Sequence, residues 1–346
     1  MAVITVVTSA PPLTEGGHLV LARALERALV DAGHRAGIVT TPANRFGHQA
    51  RAYLATRFTD VGVTGTGERV DQVISLRFPS YAVRHPAHVC WLVHTMREYY
   101  DLWDRFAAGL STRGRIKERA RRWAMHRADT YCFRRVARMY AISATVKARV
   151  ERWNRVPTEA LLPPPPQRPY RCDEYGNDLF FASRLTPLKR ADLVIRAMAE
   201  PAARGVRCVI GGDGEDRARL EQLSRELGVD GRVTFAGQLS EGALVDHLAR
   251  CRAVVFPPLD EDYGFVTGEA FASGKAVITC TDSGGPLELV RSGQNGWVVA
   301  PDPAALARAM AEAMAGPAAA ERLGQQGRKD ISALSWSAVV KKLVIV

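Results

Sequence analysis

Six short apolar runs divide the second half of the chain: "DLFFASR", "RCVIGGDG", "RVTFAG", "AVVFPP", "AVITC" and "GWVV". A helix-patterned stretch lies between each run and the next: "RADLVIRAMAE", "DRARLEQLSRELG", "EGALVDHLARC", "TGEAFASG" and "PLELVRSG". Strands separated by helices of this length cannot form tight hairpins. They must run parallel, joined by right-handed crossovers. The pattern therefore predicts a doubly wound α/β sheet.

The first half carries the same alternation. "VITVVTS" reads as a buried strand. "GGHLVLARALERALVDAGH" follows, with Leu21, Leu25, Ala28 and Leu29 at helical spacing and Gly33 as a stop. "RAGIVTT", "QVISLRF", "HVCWLVH" and "RMYAIS" are further strand candidates. Between the halves, "LLPPPPQRPYRCDEYGND" breaks the pattern, because consecutive prolines exclude helix and central strand. The fold class expected is α/β, with two tandem doubly wound Rossmann-like domains facing a central cleft. The boundaries expected are a first domain at 1–162, a linker at 163–175 and a second domain at 176–330. A terminal helix at 331–346 is expected to pack back on the first domain. At about 150 residues per domain, a chain of 346 residues has room for two.

No apolar run approaches the ~18 residues that span a bilayer. The opening "MAVITVVTSA" lacks a basic segment and reads as a strand rather than a leader, so cytoplasmic residence is the expectation. Six widely scattered cysteines show no metal or disulfide spacing and read as buried thiols. The net charge of +11 is concentrated. Between Ser111 and Met139 stand ten Lys and Arg against two acids, Glu118 and Asp129. The plain interpretation is a solvated helix face. The sharper one is peripheral contact with an anionic membrane through residues 113–138. No groove-reading motif accompanies these arginines, so nucleic acid is not expected as a partner.

In doubly wound sheets ligands sit beyond the carboxyl ends of the strands. In the second half those positions hold Ser183, Arg184 and Lys189, then Gly212, then Gly237 and Gln238. After them come Glu261, Gly264, Phe265, Val266 and Glu269, and finally Gly284, Gly285 and Glu288. In the first half they hold Gly16, Gly17 and His94. Helix amino termini, close-approaching glycines and two fixed cations suit a diphosphate. Glu269, expected in the first turn of its helix, suits vicinal hydroxyls such as ribose. Glu261 suits a second polyol. Plainer alternatives stand beside these: glycine pairs as turns, Arg184 as a surface salt bridge, Glu288 as a helix-start acid and His94 as a core histidine. "GGDG" lacks the spacing of a nicotinamide fingerprint. The "DED" at 260–262 matches a short metal-binding pattern of sugar transferases but overlaps the Glu261 loop.

The segment "EDYGFVTGE", from Glu261 to Glu269, resembles the E-x7-E motif of retaining glycosyltransferases of family four, which have the GT-B fold. "SRLTPLKR" resembles that family's G-R-L-x-x-x-K-G, with Ser183 and Arg190 in place of the glycines. "VIGGDGE", "VTFAGQLS", "AVVFPP" and "SGGPLELV" follow in the family's order. "PPLTEGGHLVLARALERALVDAGH" is similar to its opening loop and first helix, and "LPPPPQ" to its linker. "YAISATVKARVERW" is similar to another segment, with Ile142 in place of an asparagine.

The resemblance implies a hexosyltransferase using a nucleoside diphosphate sugar. It would need no cofactor and no metal, and its acceptor would be a saccharide or lipid-linked hydroxyl. Arg184 and Lys189 would hold the diphosphate, Glu269 the ribose and Glu261 the donor sugar. Phe265 and Val266 would offer backbone N–H groups, Gly212 and Gly264 close approach, and Gly237 and Gln238 would flank the base. Gly16 and Gly17 would let a loop close over the donor, and His94 would lie near the reacting sugar. The implied route is a front-face displacement. Two other classes keep the same fold: a nucleotide-sugar epimerase or hydrolase, and a non-catalytic nucleotide-sugar-binding protein.

Overall fold

The computed structural model describes residues 1–11, 16–43 and 46–346. The chain divides into two compact units, Met1–Pro163 with Ser335–Val346, and Pro164–Leu334. The proline-rich stretch from 164 on is thus counted with the second unit, and the terminal helix with the first.

The first unit runs β1 (Val3–Ala10), α1 (Gly17–Asp31), β2 (Arg35–Pro42), α2 (Gln49–Phe58), β3 (Gln72–Ser75) and β4 (His88–Leu92). It continues through α3 (Trp103–Ala108), α4 (Thr112–Phe133), β5 (Arg138–Ala141), α5 (Ala144–Asn154) and β6 (Glu159–Ala160). The sheet order is β2-β1-β3-β4-β5-β6, and every pairing is parallel. β6 was not legible as a strand, because only two residues pair and neither is apolar enough to stand out.

The second unit runs β7 (Leu179–Ala182), α6 (Ala191–Ala199), β8 (Cys208–Gly211), α7 (Arg217–Glu226), β9 (Val233–Gly237) and α8 (Glu241–Arg250). After these come β10 (Ala253–Val255), α9 (Phe265–Ala272), β11 (Val277–Cys280), β12 (Gly296–Val299), α10 (Pro303–Met314) and α11 (Pro317–Ser332). Its order is β12-β11-β10-β7-β8-β9, again parallel throughout. The core between sheet and helices includes Phe180, Phe181, Ile210, Val254, Phe271 and Ile278, all buried. "PLELVRSG" is not a helix as expected but a single 3-10 turn over Gly285–Glu288. Beyond it the fully buried Asn295 accepts from the Arg291 N–H at 2.7 Å and donates to the Leu289 carbonyl at 2.9 Å, which folds the stretch before β12 into a turn instead of a helix.

α12 (Trp336–Leu343) completes the first unit. Ser335 caps it by accepting from the Ala338 N–H at 3.2 Å. Gln72, in the middle of the sheet and fully buried, donates to the Leu343 carbonyl at 2.6 Å and accepts from the Ile345 N–H at 2.9 Å. The end of the chain is thus bound to the first unit's central strands by a buried amide.

The basic segment of the sequence is α4, and the helix has two distinct faces. Both of its acids point inward. Glu118 accepts from the Tyr99 hydroxyl at 2.5 Å and from Arg121 at 2.8 Å. Asp129, with no exposed surface, accepts from Tyr81 at 2.8 Å and Tyr100 at 2.7 Å. Asn154 supports the group by donating to Tyr100 and Thr130. Arg122 is also turned inward, between the rings of Trp103 and Trp153, and donates to the Tyr99 carbonyl at 2.8 Å. The outer face keeps Arg113, Lys117, Arg119, Arg127 and Arg134, with Ile116, Trp123 and Tyr131 exposed among them.

Burial lifts the Asp129 carboxyl to about 7, against the lowering effect of the two tyrosine hydroxyls. Between the ordinary carboxylate range and that value the native protein holds a proton that the unfolded chain releases. Stability from this site is therefore present at low pH and lost as pH rises through about 7, by about 1.4 kcal/mol for each unit traversed. Asp129→Asn should flatten the fall in unfolding free energy between pH 4 and 7, measured by denaturant titration at several pH values. An unchanged slope would refute the assignment.

Candidate active site

In the second unit the chain winds outward from β7 through β8 to β9, then returns to the other side of β7 with β10. The strand order therefore reverses between β7 and β10, where two loops diverge and leave a crevice. The loop after β7 carries Ser183, Arg184, Lys189 and Arg190. The loop after β10 carries Glu261 and leads to Gly264 and α9. The predicted residues of this unit thus gather at the carboxyl ends of adjacent strands.

Lys189 donates to Glu261 Oε1 at 2.6 Å. Both side chains are mostly covered, at 19% and 14% exposure, and the ammonium also lies over the Phe256 ring at 5.8 Å. Arg184 is exposed and forms no ion pair with the described residues. One cation of the predicted pair is thus held by a carboxylate and the other reaches solvent.

The Glu261 loop is fixed by its own backbone. Asp260 N–H donates to Asp282 O, Glu261 N–H donates to Ser283 O, and Glu261 O accepts from Gly285 N–H, all within 2.9 Å. Leu259 N–H donates to the Leu188 carbonyl at 2.8 Å, which ties this loop to the Lys189 turn. Sequence reasoning read Arg190 only as a substitute for a glycine, but it binds these loops together. Its guanidinium donates to Pro257 O and Pro258 O, both at 2.7 Å, and grips both oxygens of Asp282 at 2.6 and 2.8 Å. Its backbone sits at φ 52, in the left-handed region that glycine enters freely. A residue with a Cβ loses about 1–2 kcal/mol there, which the charge-assisted bonds offset. The glycine of the related motif was the available signal: it marks a left-handed position.

Gly212 and Gly264 are needed as glycines. A Cβ on Gly212, at φ 122, would lie 1.9 Å from the Ser183 carbonyl oxygen, so any side chain would force the β7 and β8 loops apart. Gly212 N–H also donates to Gly237 O at 2.7 Å, joining the ends of β8 and β9, and Gln238 is exposed just beyond. Gly264, at φ 77, caps α9, and Phe265 and Val266 are the first residues of that helix. Their N–H groups have no acceptor within the helix and carry the positive end of its dipole.

Glu269 departs from expectation in two ways. α9 begins at Phe265, so Glu269 stands in its second turn rather than its first. It is also buried, and its Oε1 accepts from Arg168 and from Tyr170. Burial raises its carboxyl above the usual range, and Arg168 opposes the shift. Arg168 itself is covered and also bonds Glu241 at 2.9 Å. Sequence reasoning missed Arg168 and Tyr170, because both lie in the segment assigned to the linker.

The first unit has its own reversal, between β1 and β3. Gly16 caps α1 and Gly17 opens it, at the end of β1. His18, in the next position, bonds Arg77 through its ring nitrogens at 3.0 and 3.2 Å, a pair not anticipated. The His94 ring bonds the Thr95 carbonyl through Nδ1 at 2.7 Å, and its own carbonyl accepts from Phe78 N–H at 3.3 Å. The preceding part of the expected opening loop, at 12–15, lies outside the described residues. Five cysteines are buried and Cys172 is half-buried, so that one is not the buried thiol expected. Among the described residues no group of three His, Cys, Asp or Glu is placed to hold a metal ion.

Residues 167–330 match the family model for glycosyl transferases, group 1. The two sheets and their connections are those of the GT-B fold. Over 98% of its length the chain matches a sucrose-phosphate synthase from Thermosynechococcus elongatus, covering 97% of that structure, with a TM-score of 0.77 and 18% identity. It matches Anabaena HepE, solved in complex with UDP-glucose, over 98% of both chains, with a TM-score of 0.68 and 15% identity. An uncharacterized glycosyltransferase of Methanocaldococcus jannaschii is 31% identical over 171 residues, covering 49% of this chain and 44% of the relative. A D-inositol 3-phosphate glycosyltransferase of Thermomonospora curvata is 32% identical over 180 residues, covering 49% and 42%. The matched stretch thus spans less than half the length of these relatives.

The Arg168–Glu269 pair supports a test of the second unit. Arg168→Ala leaves a buried carboxylate uncompensated and should lower unfolding free energy by about 3–5 kcal/mol. In a Glu269→Gln background the same substitution should cost much less, as read in a double-mutant cycle by urea denaturation. Equal costs in the two backgrounds would show that the pair is not coupled.

Proposed function

We propose that this GT-B protein is a retaining glycosyltransferase of family four that moves a hexosyl group from a nucleoside diphosphate sugar to an acceptor hydroxyl. The observation that carries the reading is the placement of Arg184, Lys189 and Glu261 on the two loops that diverge at the β7/β10 reversal. In this reading the diphosphate takes Arg184 and displaces part of the Lys189–Glu261 bond, which frees Glu261 for the sugar. The α9 amino terminus supports the phosphates through Phe265 and Val266. Glu269, oriented by Arg168 and Tyr170, meets the ribose. Gly237 and Gln238 flank the base. Charge building on the departing diphosphate is met by fixed cations in a preorganised site, the main source of rate enhancement in such transfers. No metal has a role in this scheme. The first unit takes the acceptor, a saccharide or lipid-linked hydroxyl in polysaccharide, glycolipid or other glycoconjugate synthesis. The family resemblance assigns Gly16, Gly17 and His94 of this unit to the transfer. The UDP-glucose bound to Anabaena HepE makes a UDP-sugar the first donor to try.

No helix among the described residues is long and apolar enough to cross a membrane. The outer face of α4, with basic residues around exposed Ile116, Trp123 and Tyr131, supports peripheral contact with an anionic bilayer. Ile116→Gln/Trp123→Gln should reduce co-sedimentation with phosphatidylglycerol vesicles. If the parent protein does not sediment with them, this part of the reading fails.

A thermal-shift screen with UDP-, GDP- and ADP-sugars identifies the donor. With it, Arg184→Ala and Lys189→Ala should each lower turnover by about 100-fold or more, chelation with EDTA should leave turnover unchanged, and the product anomer, read by NMR, should match the donor. Full turnover in both variants would overturn the mechanism. Donor converted without acceptor would favour an epimerase or hydrolase.

A further inference from the structure

At the amino-terminal end of the first unit's sheet lies a cavity of about 470 Å³. It is at the end opposite the β1/β3 reversal. The C-terminal turn of α2, the segment leading into β4 and the end of α4 enclose it, through Arg57, Arg84, His85, His88, Tyr131 and Arg135. Three guanidinium groups line one cavity, and no carboxylate lines it. Among the described residues none of the three arginines forms an ion pair. Arg57 gives one N–H to the Ala82 carbonyl at 3.3 Å, and Arg135 lies over the Tyr131 ring at 4.8 Å. A guanidinium has five N–H donors, so most of these donors are uncommitted.

Two sources of negative charge lie nearby, and neither balances the site. The carboxyl ends of α2 and α4 carry about half a charge each, against three full positive charges. The Tyr81 hydroxyl, on a lining residue, leads to Asp129, but that carboxyl is closed off by two tyrosines, and its raised pKa keeps it partly protonated at neutral pH. Burial lowers His88 to about 4, so it adds no charge. The like charges repel unless an anion joins them, and planar forks match phosphate oxygens two at a time.

We infer that this cavity binds a phosphate-bearing anion through Arg57, Arg84 and Arg135, at a site separate from the crevice between β7 and β10. The phosphate can come from a free phosphorylated solute or from a lipid headgroup, since Tyr131 belongs both to the cavity and to the exposed face of α4. This inference does not depend on the transferase reading.

The test uses the 346-residue chain carrying Arg184→Ala/Lys189→Ala, so that the two cations assigned to the donor diphosphate do not contribute. Calorimetry with inorganic pyrophosphate should give saturable binding. Adding Arg84→Ala/Arg135→Ala should weaken it at least about tenfold, the loss expected on removing charge-assisted bonds. Both residues are exposed, and Arg84→Gln/Arg135→Gln serves if the alanine pair does not fold. Sedimentation with vesicles of phosphatidylglycerol in phosphatidylcholine identifies the source. For a headgroup ligand the same substitutions release the protein from the vesicles. For a free solute, vesicle association is unchanged while pyrophosphate affinity falls. Pyrophosphate binding that ignores Arg84 and Arg135, or no binding of either probe by the folded parent, overturns the proposal.

Discussion

Parallel strands cannot be closed by a two-residue turn, and most of this chain's design follows from that constraint. Each connection must cross a face of the sheet, so the loops that open a crossover all emerge at the same edge. Wherever the winding changes direction, two of these loops part. In the second unit that happens between β7 and β10, and Arg184, Lys189 and Glu261 come from those two loops, with the helix α9 following the second. The crevice comes from topology, but topology does not fix the distances within it. Those are set by Arg190, which spans three loops, and by the backbone ladder between Glu261 and Ser283–Gly285.

The charges of the molecule are arranged by the same logic of partners. Inside the second unit three covered cations have carboxylate partners: Lys189 has Glu261, Arg190 has Asp282 and Arg168 has Glu269. In α4 the two acids are drawn inward by tyrosines, so the outer face keeps only its cations. A helix with both signs along its sequence thus presents a single sign to solvent. Counting charges along the chain does not reveal this; the tyrosine hydroxyls that recruit Glu118 and Asp129 come from distant turns.

The fold was largely readable from sequence because its signal is periodic. Buried parallel strands are continuous apolar runs, so all strands but the two-residue β6 could be placed, whereas the connection from β11 to β12 was read as a helix and is a single 3-10 turn. The site was readable only in part. Arg184, Lys189, Glu261 and Gly212 occupy the strand ends where sequence placed them. Glu269 was misplaced because its helix was read to begin at Thr267, two residues late; Gly264 in the left-handed region sets the start at Phe265. Arg168 and Tyr170 were invisible because prolines around them suggested a bare connector, whereas their partner Glu269 lies about a hundred residues further on. Long-range pairing of this kind has no local signature.

The last helix of the chain lies in the first unit, held by Gln72 between the central strands and the backbone of Leu343 and Ile345. The second unit is therefore an insertion within the first in chain order. During synthesis the first unit must wait, lacking its closing helix and with a buried amide unanswered, while the whole of the second unit emerges from the ribosome. The later-made unit can reach its final form before the earlier one does. The first unit is completed only after the second has been made.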